Sequence, residues 1–277
     1  MRHGWIGLAL LACAASAAAA ERVVTLAPHL AELVCAVDAC ERLVGVVAYT
    51  DAPAAAAALP QVGDAFNVNL EAVLALQPDL ILAWDAGTPA SRIQRLESLG
   101  LRVEVIAVRG LDDIADALER VGTLVGAADA GRDSAERYRR RLGALRQRYA
   151  DRATLRAFYF TQTDPPFSVN RRSPIDEALR LCGADNVFAD MPAIAGAVSL
   201  EAIVAARPEV AIYSLQEDSA AVAKLWRRLP ALTISDPARQ VRVDANTLTR
   251  QSPRVLDGID ALCRGLDRVR VLSAADD

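Results

Sequence analysis

Residues 68–84 (VNLEAVLALQPDLILAW) and 198–214 (VSLEAIVAARPEVAIYS) align without a gap, at an offset of 198 − 68 = 130 residues. Val, Leu, Glu, Ala, Ala and Pro recur at the same places. Each copy carries the same physical instruction. Asn69 or Ser199 stands where a helix N-cap belongs, Leu-Glu opens the helix with a carboxylate near its positive end, and Pro78 or Pro208 stops it ahead of a short apolar run. A helix-then-strand unit written twice restricts the chain to two halves of similar build. It also places Glu71 and Glu201 at matching positions at the mouths of their helices. The plain alternative is two first-turn glutamates that merely complement a helix dipole.

Apolar runs of strand length at 22–26, 43–47, 80–84 and 103–107 alternate with helical periods at 70–76 and 92–99. That alternation predicts βαβ units and a mostly parallel sheet. From Ile114 to about Tyr149 strand signals are scarce and proline is absent, and the charged stretch 132–148 keeps Leu142 and Leu145 on one stripe, which predicts one or two long helices. Strand runs resume at 155–160, 210–213, 232–234 and 241–243. The expected class is therefore α/β, with two Rossmann-like lobes of parallel-rich sheet joined by a long rigid helix. The expected bounds are a leader at 1–20, an N-terminal lobe at 21–125, a linking helix at 126–152 and a C-terminal lobe at 153–277.

The leader reads as a signal peptide: Arg2, a short apolar run at 5–15, and small residues at Ala18 and Ala20. The run is well short of the roughly 20 residues that cross a bilayer. Leu10-Leu11-Ala12-Cys13 loosely resembles a lipoprotein box, but its Leu two before Cys13 is atypical, so the expectation is cleavage before Glu21 and not lipidation. Export makes disulfides the favoured state of Cys35, Cys40, Cys182 and Cys263. Four cysteines allow three pairings. A local Cys35–Cys40 bridge is sterically possible and would leave Cys182 with Cys263; four free buried thiols are the bland alternative.

With 31 Lys+Arg against 35 Asp+Glu there is no basic surplus to neutralise phosphates, so nucleic acid is not an expected partner. Catalytic motifs are thin: no phosphate loop, no G-x-S-x-G and no H-E-x-x-H. With two His in the whole sequence and His3 in the leader, His29 alone serves the mature chain. A multi-histidine zinc site and a conventional triad are thereby excluded as designs. An exported enzyme built around a metal cluster would need bridging cysteines or a dense carboxylate set, and neither is evident. No enzyme is expected, and no cofactor.

Aromatic residues are only 5% of the chain, yet Tyr49, Phe66, Trp84 and Phe167 all fall in loops or ends that follow strands. Ligands of open α/β sheets sit beyond the carboxyl ends of strands, where large flat side chains suit a large, partly apolar guest. His29, in Ala27-Pro28-His29 after a strand, is a candidate axial ligand to a cobalt or iron in that cleft, against the alternative of a surface or capping histidine.

The order of VVTLAPHLAELV at 23–34, VGVVAYTDAP at 44–53, the block at 68–84, Pro165-Pro166-Phe167, LCGADNVF at 181–188, the block at 198–214 and Gln251-Ser252-Pro253-Arg254 resembles the periplasmic cobalamin-binding proteins that feed ABC importers. It spans essentially the whole mature chain, and the wider group also includes receptors for haem and ferric siderophores. The resemblance implies two lobes on a rigid helix and a Cys182–Cys263 disulfide. It implies docking of Glu71 and Glu201 on arginines of two permease subunits. It gives cleft roles to Tyr49, Trp84, Phe167 and Arg250. Two tryptophans of the family's cleft correspond to Ala65 and Ala195, and a cleft aspartate to Asn246; Phe66 stands where it can fill part of the gap. The expectation is a monomeric periplasmic protein that captures cobalamin or a related corrinoid between its lobes and delivers it to a permease dimer. A haem or ferric-siderophore receptor is the alternative, and Arg250 is the single cleft arginine available to an anionic siderophore.

Overall fold

The computed structural model describes residues 19–64 and 67–276. The leader up to Ala18, with Cys13, and the pair Ala65 and Phe66 lie outside the described residues.

The strands are β1 (Val23–Thr25), β2 (Leu43–Gly45), β3 (Leu80–Trp84), β4 (Val103–Ile106), β5 (Leu155–Phe160), β6 (Gln162–Thr163), β7 (Pro166–Val169), β8 (Ala184–Asn186), β9 (Ala195–Ala197), β10 (Val210–Ser214) and β11 (Gln240–Val243). The helices are α1 (Pro28–Ala36), α2 (Ala54–Ala57), α3 (Leu70–Ala75), α4 (Ala90–Ser98), α5 (Asp113–Leu124), α6 (Ala128–Tyr149), α7 (Pro174–Leu181), α8 (Leu200–Ala206), α9 (Ser219–Arg227), α10 (Ala245–Leu248) and α11 (Val255–Asp276). Two four-stranded parallel sheets result, ordered β2-β1-β3-β4 and β8-β5-β10-β11. With β5 set on β1 and β10 on β3 the two orders are identical, as the echo in the sequence requires. The second half adds the antiparallel sheet β6-β7-β9.

Alternation along the strands divides the core. Val23, Leu80 and Leu82 from the first sheet, and Leu155, Ala157, Tyr159, Val210 and Ile212 from the second, belong to one continuous buried cluster that also takes in Tyr138, Leu142, Leu145 and Tyr149 of α6. The intervening residues point the other way. Val24, Ile81 and Ala83 pack with Val73 of α3, and Phe158, Phe160 and Ala211 with Ile203 of α8. The echo helices thus cover the outer faces of their sheets, each anchored by one fully buried aliphatic worth about 1.5–3 kcal/mol.

The stretch expected to hold one or two long helices folds as the antiparallel pair α5 and α6. At 22 residues α6 spans roughly 33 Å. The pair packs backbone to backbone where glycines meet: a Cβ on Gly122 would stand 2.8 Å from the Gly131 Cα. Residues 232–234, expected as a strand, instead enter a 3-10 turn over Thr233–Ser235, where the Leu232 carbonyl accepts both the backbone N–H and the hydroxyl of Ser235. Three apolar residues satisfied by a local turn have no need of a ladder. Among the described residues no helix is long and apolar enough to cross a membrane.

Both bridges are formed: Cys35–Cys40, and Cys182–Cys263 across 81 residues. The free-thiol alternative is thereby set aside.

Candidate ligand-binding site

β1, β3 and β5 run parallel within their sheets, and their carboxyl ends open on one cavity of about 400 Å³. The first lobe contributes Pro28, His29 and Trp84; the second contributes Tyr159, Val169, Ile175 and the run from Thr249 to Gln251. It lies where ligands of open α/β sheets are found.

His29 enters on the first turn of α1, behind the N1 proline that starts the helix. It is 5% exposed, which removes the surface-histidine alternative. Its ring meets Trp84 edge to face, with centroids 5.3 Å apart. Burial, and next the Arg250 guanidinium, pull its pKa down to about 3, so the imidazole is neutral at any physiological pH. Nε2 is closed to solvent and has no hydrogen-bond partner among the described residues. Trp84 ends β3, and its indole lies over Gly87, where a Cβ would come within 2.0 Å of the ring. Tyr159, from the second lobe, is buried, and that burial pushes its hydroxyl up to about 12.

Arg250 crosses the cleft. Its Nη2 donates to the Tyr49 carbonyl at 2.9 Å and lies 3.4 Å from Asp51 Oδ1, both on the first lobe, and 3.5 Å from Asn246 Oδ1 on its own side. Tyr49 sits in the left-handed region at φ 65° with its side chain 82% exposed, at the rim and outside the cavity lining. Asn246 is exposed in α10 and likewise off the lining. Phe167 is half-buried on β7 and shares a face with Val169, which does line the cavity. His29, Trp84 and Arg250 are therefore gathered in the pocket, while Tyr49, Phe167 and Asn246 stand around it. Phe66 and Ala65 lie outside the described residues; Ala195, in β9, pairs with Val169.

Beside the cavity the two lobes are fastened. Glu32, buried on α1, accepts from the Ser252 hydroxyl and from Arg254 at 3.0 Å, and Gln251 Nε2 donates to the Val108 carbonyl at 2.9 Å. Burial pushes the Glu32 carboxyl up, partly opposed by Ser252 and Arg254. Sequence reasoning missed Glu32, Tyr159 and Gln251 as site residues. The first and last lie within quoted motifs, but the contacts that give them meaning join residues more than 140 positions apart.

Glu71 and Glu201 are both exposed in the first turns of α3 and α8. Each helix runs back along its sheet before the strand that follows, so its N-terminus stands at the carboxyl edge of the sheet, the edge that faces the cleft. The Glu201 carboxyl is held below the usual range by its own backbone N–H and by the Ser199 hydroxyl.

A family profile described as periplasmic binding protein matches residues 23–235. The chain belongs to that family. It is 34% identical over 245 residues to a vitamin B12-binding protein of Vibrio cholerae, covering 88% of each. With the same-named protein of Yersinia pestis it shares 33% identity over 249 residues, covering 90% of this chain and 87% of the relative. The crystal structure of the periplasmic vitamin B12 binding protein BtuF of Vibrio cholerae superposes with a TM-score of 0.82 at 32% identity, covering 91% of this chain and 98% of that one. The periplasmic heme-binding protein BhuT in complex with two hemes gives the same TM-score at 27% identity, covering 91% and 100%. Backbone shape does not separate these two neighbours; sequence does. Each of these relatives is named as a binding protein.

Proposed function

We propose that this chain is a periplasmic receptor that captures cobalamin, or a related corrinoid, in the cleft between its lobes and hands it to the permease of an ABC importer. The observation that carries the reading is an apolar, aromatic-walled pocket between two lobes in a chain that shares about a third of its residues, over nearly its whole length, with vitamin B12-binding proteins. Trp84, Tyr159, Val169 and Ile175 offer apolar surface at roughly 25 cal/mol per Å² buried, and Tyr49 and Phe167 extend it to the rim for a guest larger than the pocket itself. The cavity is a poor match for an anionic siderophore, because its arginine is already engaged by Tyr49 and Asp51.

The lobes are taken as 21–125 and 153–277, the chain as a monomer exported by its leader, and Glu71 and Glu201 as the contacts to the two permease subunits. Exposed carboxylates of this kind steer and register a partner more than they hold it. Release of the guest then depends on the permease parting lobes that α6 and the Glu32 contacts keep together.

Calorimetric titration of the purified protein with cyanocobalamin and with hemin tests the ligand; tight binding of cyanocobalamin is expected, and binding of hemin alone overturns the reading. For docking, Glu71→Ala with Glu201→Ala should leave ligand affinity unchanged and lower uptake at least tenfold. Loss of ligand affinity in the double variant refutes that division of labour. The haem reading draws on His29, an imidazole at the pocket wall. A Soret shift on adding hemin that disappears in His29→Ala would establish it.

A further inference from the structure

Glu177 and Glu32 each tie one lobe to the other, and their surroundings are opposite. Glu177, on α7 of the second lobe, accepts from the Leu111 backbone N–H of the first at 2.8 Å and lies 3.4 Å from Arg146, with its side chain 29% exposed. Glu32, on α1 of the first lobe, accepts from the Ser252 hydroxyl and from Arg254 Nη1 at 3.0 Å, with its side chain only 4% exposed. The other charged groups that face it are Arg250 and Asp51, and Asp51 Oδ1 shares Arg254 Nη1 from 3.7 Å. Glu32 and Arg254 border a hollow of about 270 Å³ whose walls include Ala36, Pro53 and Pro253, and none of its residues lines the ligand cavity. A buried ion pair repays its lost hydration only where the remaining lone pairs are also filled. Glu32 fills two of roughly four lone-pair positions, one of them from a neutral hydroxyl, and its cationic partner is itself one-third exposed. Burial therefore outweighs both contacts and pushes the carboxyl up.

We infer that the Glu32 fastening is a yielding clasp: it registers the lobes, but its buried charge is relieved when they part and water reaches the carboxylate, so neutralising Glu32 tightens the closed form. This goes beyond ligand capture and holds whatever guest the cleft takes. A carboxyl that binds its proton more firmly in the closed molecule than in water makes acid favour closure; that stability is present at low pH and lost as pH rises through the raised pKa. A clasp held by net attraction between the charges has the opposite sign, since acid would break it. Glu177, already partly hydrated, gains little by parting. The receptor is thus poised at neutral pH to be opened with little work, and its seam stiffens in acid.

Glu32→Gln tests this directly, because it keeps the shape, can still accept from Arg254 and donate to the Ser252 hydroxyl, and removes the charge. In the mature protein without guest it should melt at least about 2 °C above wild type at pH 7, and within about 1 °C of it at pH 4. Glu177→Gln, the hydrated control, should melt no higher than wild type at pH 7. Spin labels on Glu97→Cys and Ala223→Cys, exposed positions of α4 and α9 in the two lobes, read the gap itself. Their distance distribution should narrow between pH 7 and pH 4 with Glu32 in place, and be narrow already at pH 7 with Glu32→Gln. A melting temperature for Glu32→Gln at or below wild type at pH 7, or a distribution broader than wild type, overturns the inference and makes the contact an ordinary salt bridge. An equal rise in Glu177→Gln also overturns it, as the effect would then belong to the loss of any one negative charge.

Discussion

α3 with β3 and α8 with β10 are the same device built twice. From Val68 to Leu80 and from Val198 to Val210 the order of buried, half-buried and exposed residues is the same at every position except Asp79 and Glu209. Asn69 Oδ1 caps Ala72 N at 3.0 Å and Ser199 Oγ caps Ala202 N at 3.1 Å. Gln77 and Arg207, 130 residues apart, both turn left-handed ahead of proline, at φ 46° and 44°. An arginine at the start of the partner strand clasps each helix end: Arg22, just before β1, donates to the carbonyls of Leu76 and Gln77, and Arg156, the second residue of β5, to those of Ala206 and Arg207. The lobes differ where they meet the cleft. The first brings His29, Trp84 and the Tyr49 loop; the second brings Tyr159, the extra sheet with Phe167 and Val169, and the run from Arg250 to Arg254. The repeated parts set shape, and the unlike parts set chemistry.

Four measurements press on that likeness. The largest difference is expected between the two disulfides. Chain entropy assigns about 4 kcal/mol to closing the 81-residue separation of Cys182–Cys263 and about 2 kcal/mol to the 5-residue separation of Cys35–Cys40. Denaturant midpoints of the two double Cys→Ala variants should fall in that order; the reverse order would mean the short bridge does more than shorten an unfolded loop.

Next comes His29, which has no counterpart in the second lobe. Its folded pKa is depressed, so the stability it leaves intact above pH 6.5 is lost as pH falls toward about 3. The slope is about 1.4 kcal/mol per pH unit. Urea melts of His29→Phe should lack that component, and an unchanged acid limb would mean the imidazole is solvated.

Arg22→Ala and Arg156→Ala should each cost about 1 kcal/mol, equal within about half of that, because each frees the same carbonyls at a helix end. Unequal losses in thermal melts would break the equivalence of the clasps. The smallest effects belong to the caps: Asn69→Ala and Ser199→Ala should cost about 0.5–1 kcal/mol apiece, read from the same melts.

The device itself was legible in the sequence, because capping, dipole complement and proline stop are local rules that leave a local trace. The parallel strands at 80–84, 155–160 and 210–213 followed from apolar runs for the same reason. β8 and β9 were not legible. Ala-Asp-Asn and Ala-Gly-Ala have neither branched residues nor alternation, and they pair only because neighbouring strands offer open edges. Residues 232–234 misled in the opposite sense, being apolar enough for a strand but satisfied by a turn. In the site, the ends of strands announced Trp84 and Tyr49. The Gln251 amide and the buried Glu32 did not show, because both depend on a fastening between segments 143 and 220 residues apart that no spacing rule encodes.

The single apolar interior that threads both sheets and α6 has a further consequence. Although the halves are near copies, neither can be cut free: severing the polypeptide near residue 150 would part Leu155, Ala157, Tyr159, Val210 and Ile212 from the first-sheet and α6 residues that share their cluster and lay an oily seam open to water. A genetic split of this receptor should yield fragments that aggregate apart and regain solubility only when co-expressed.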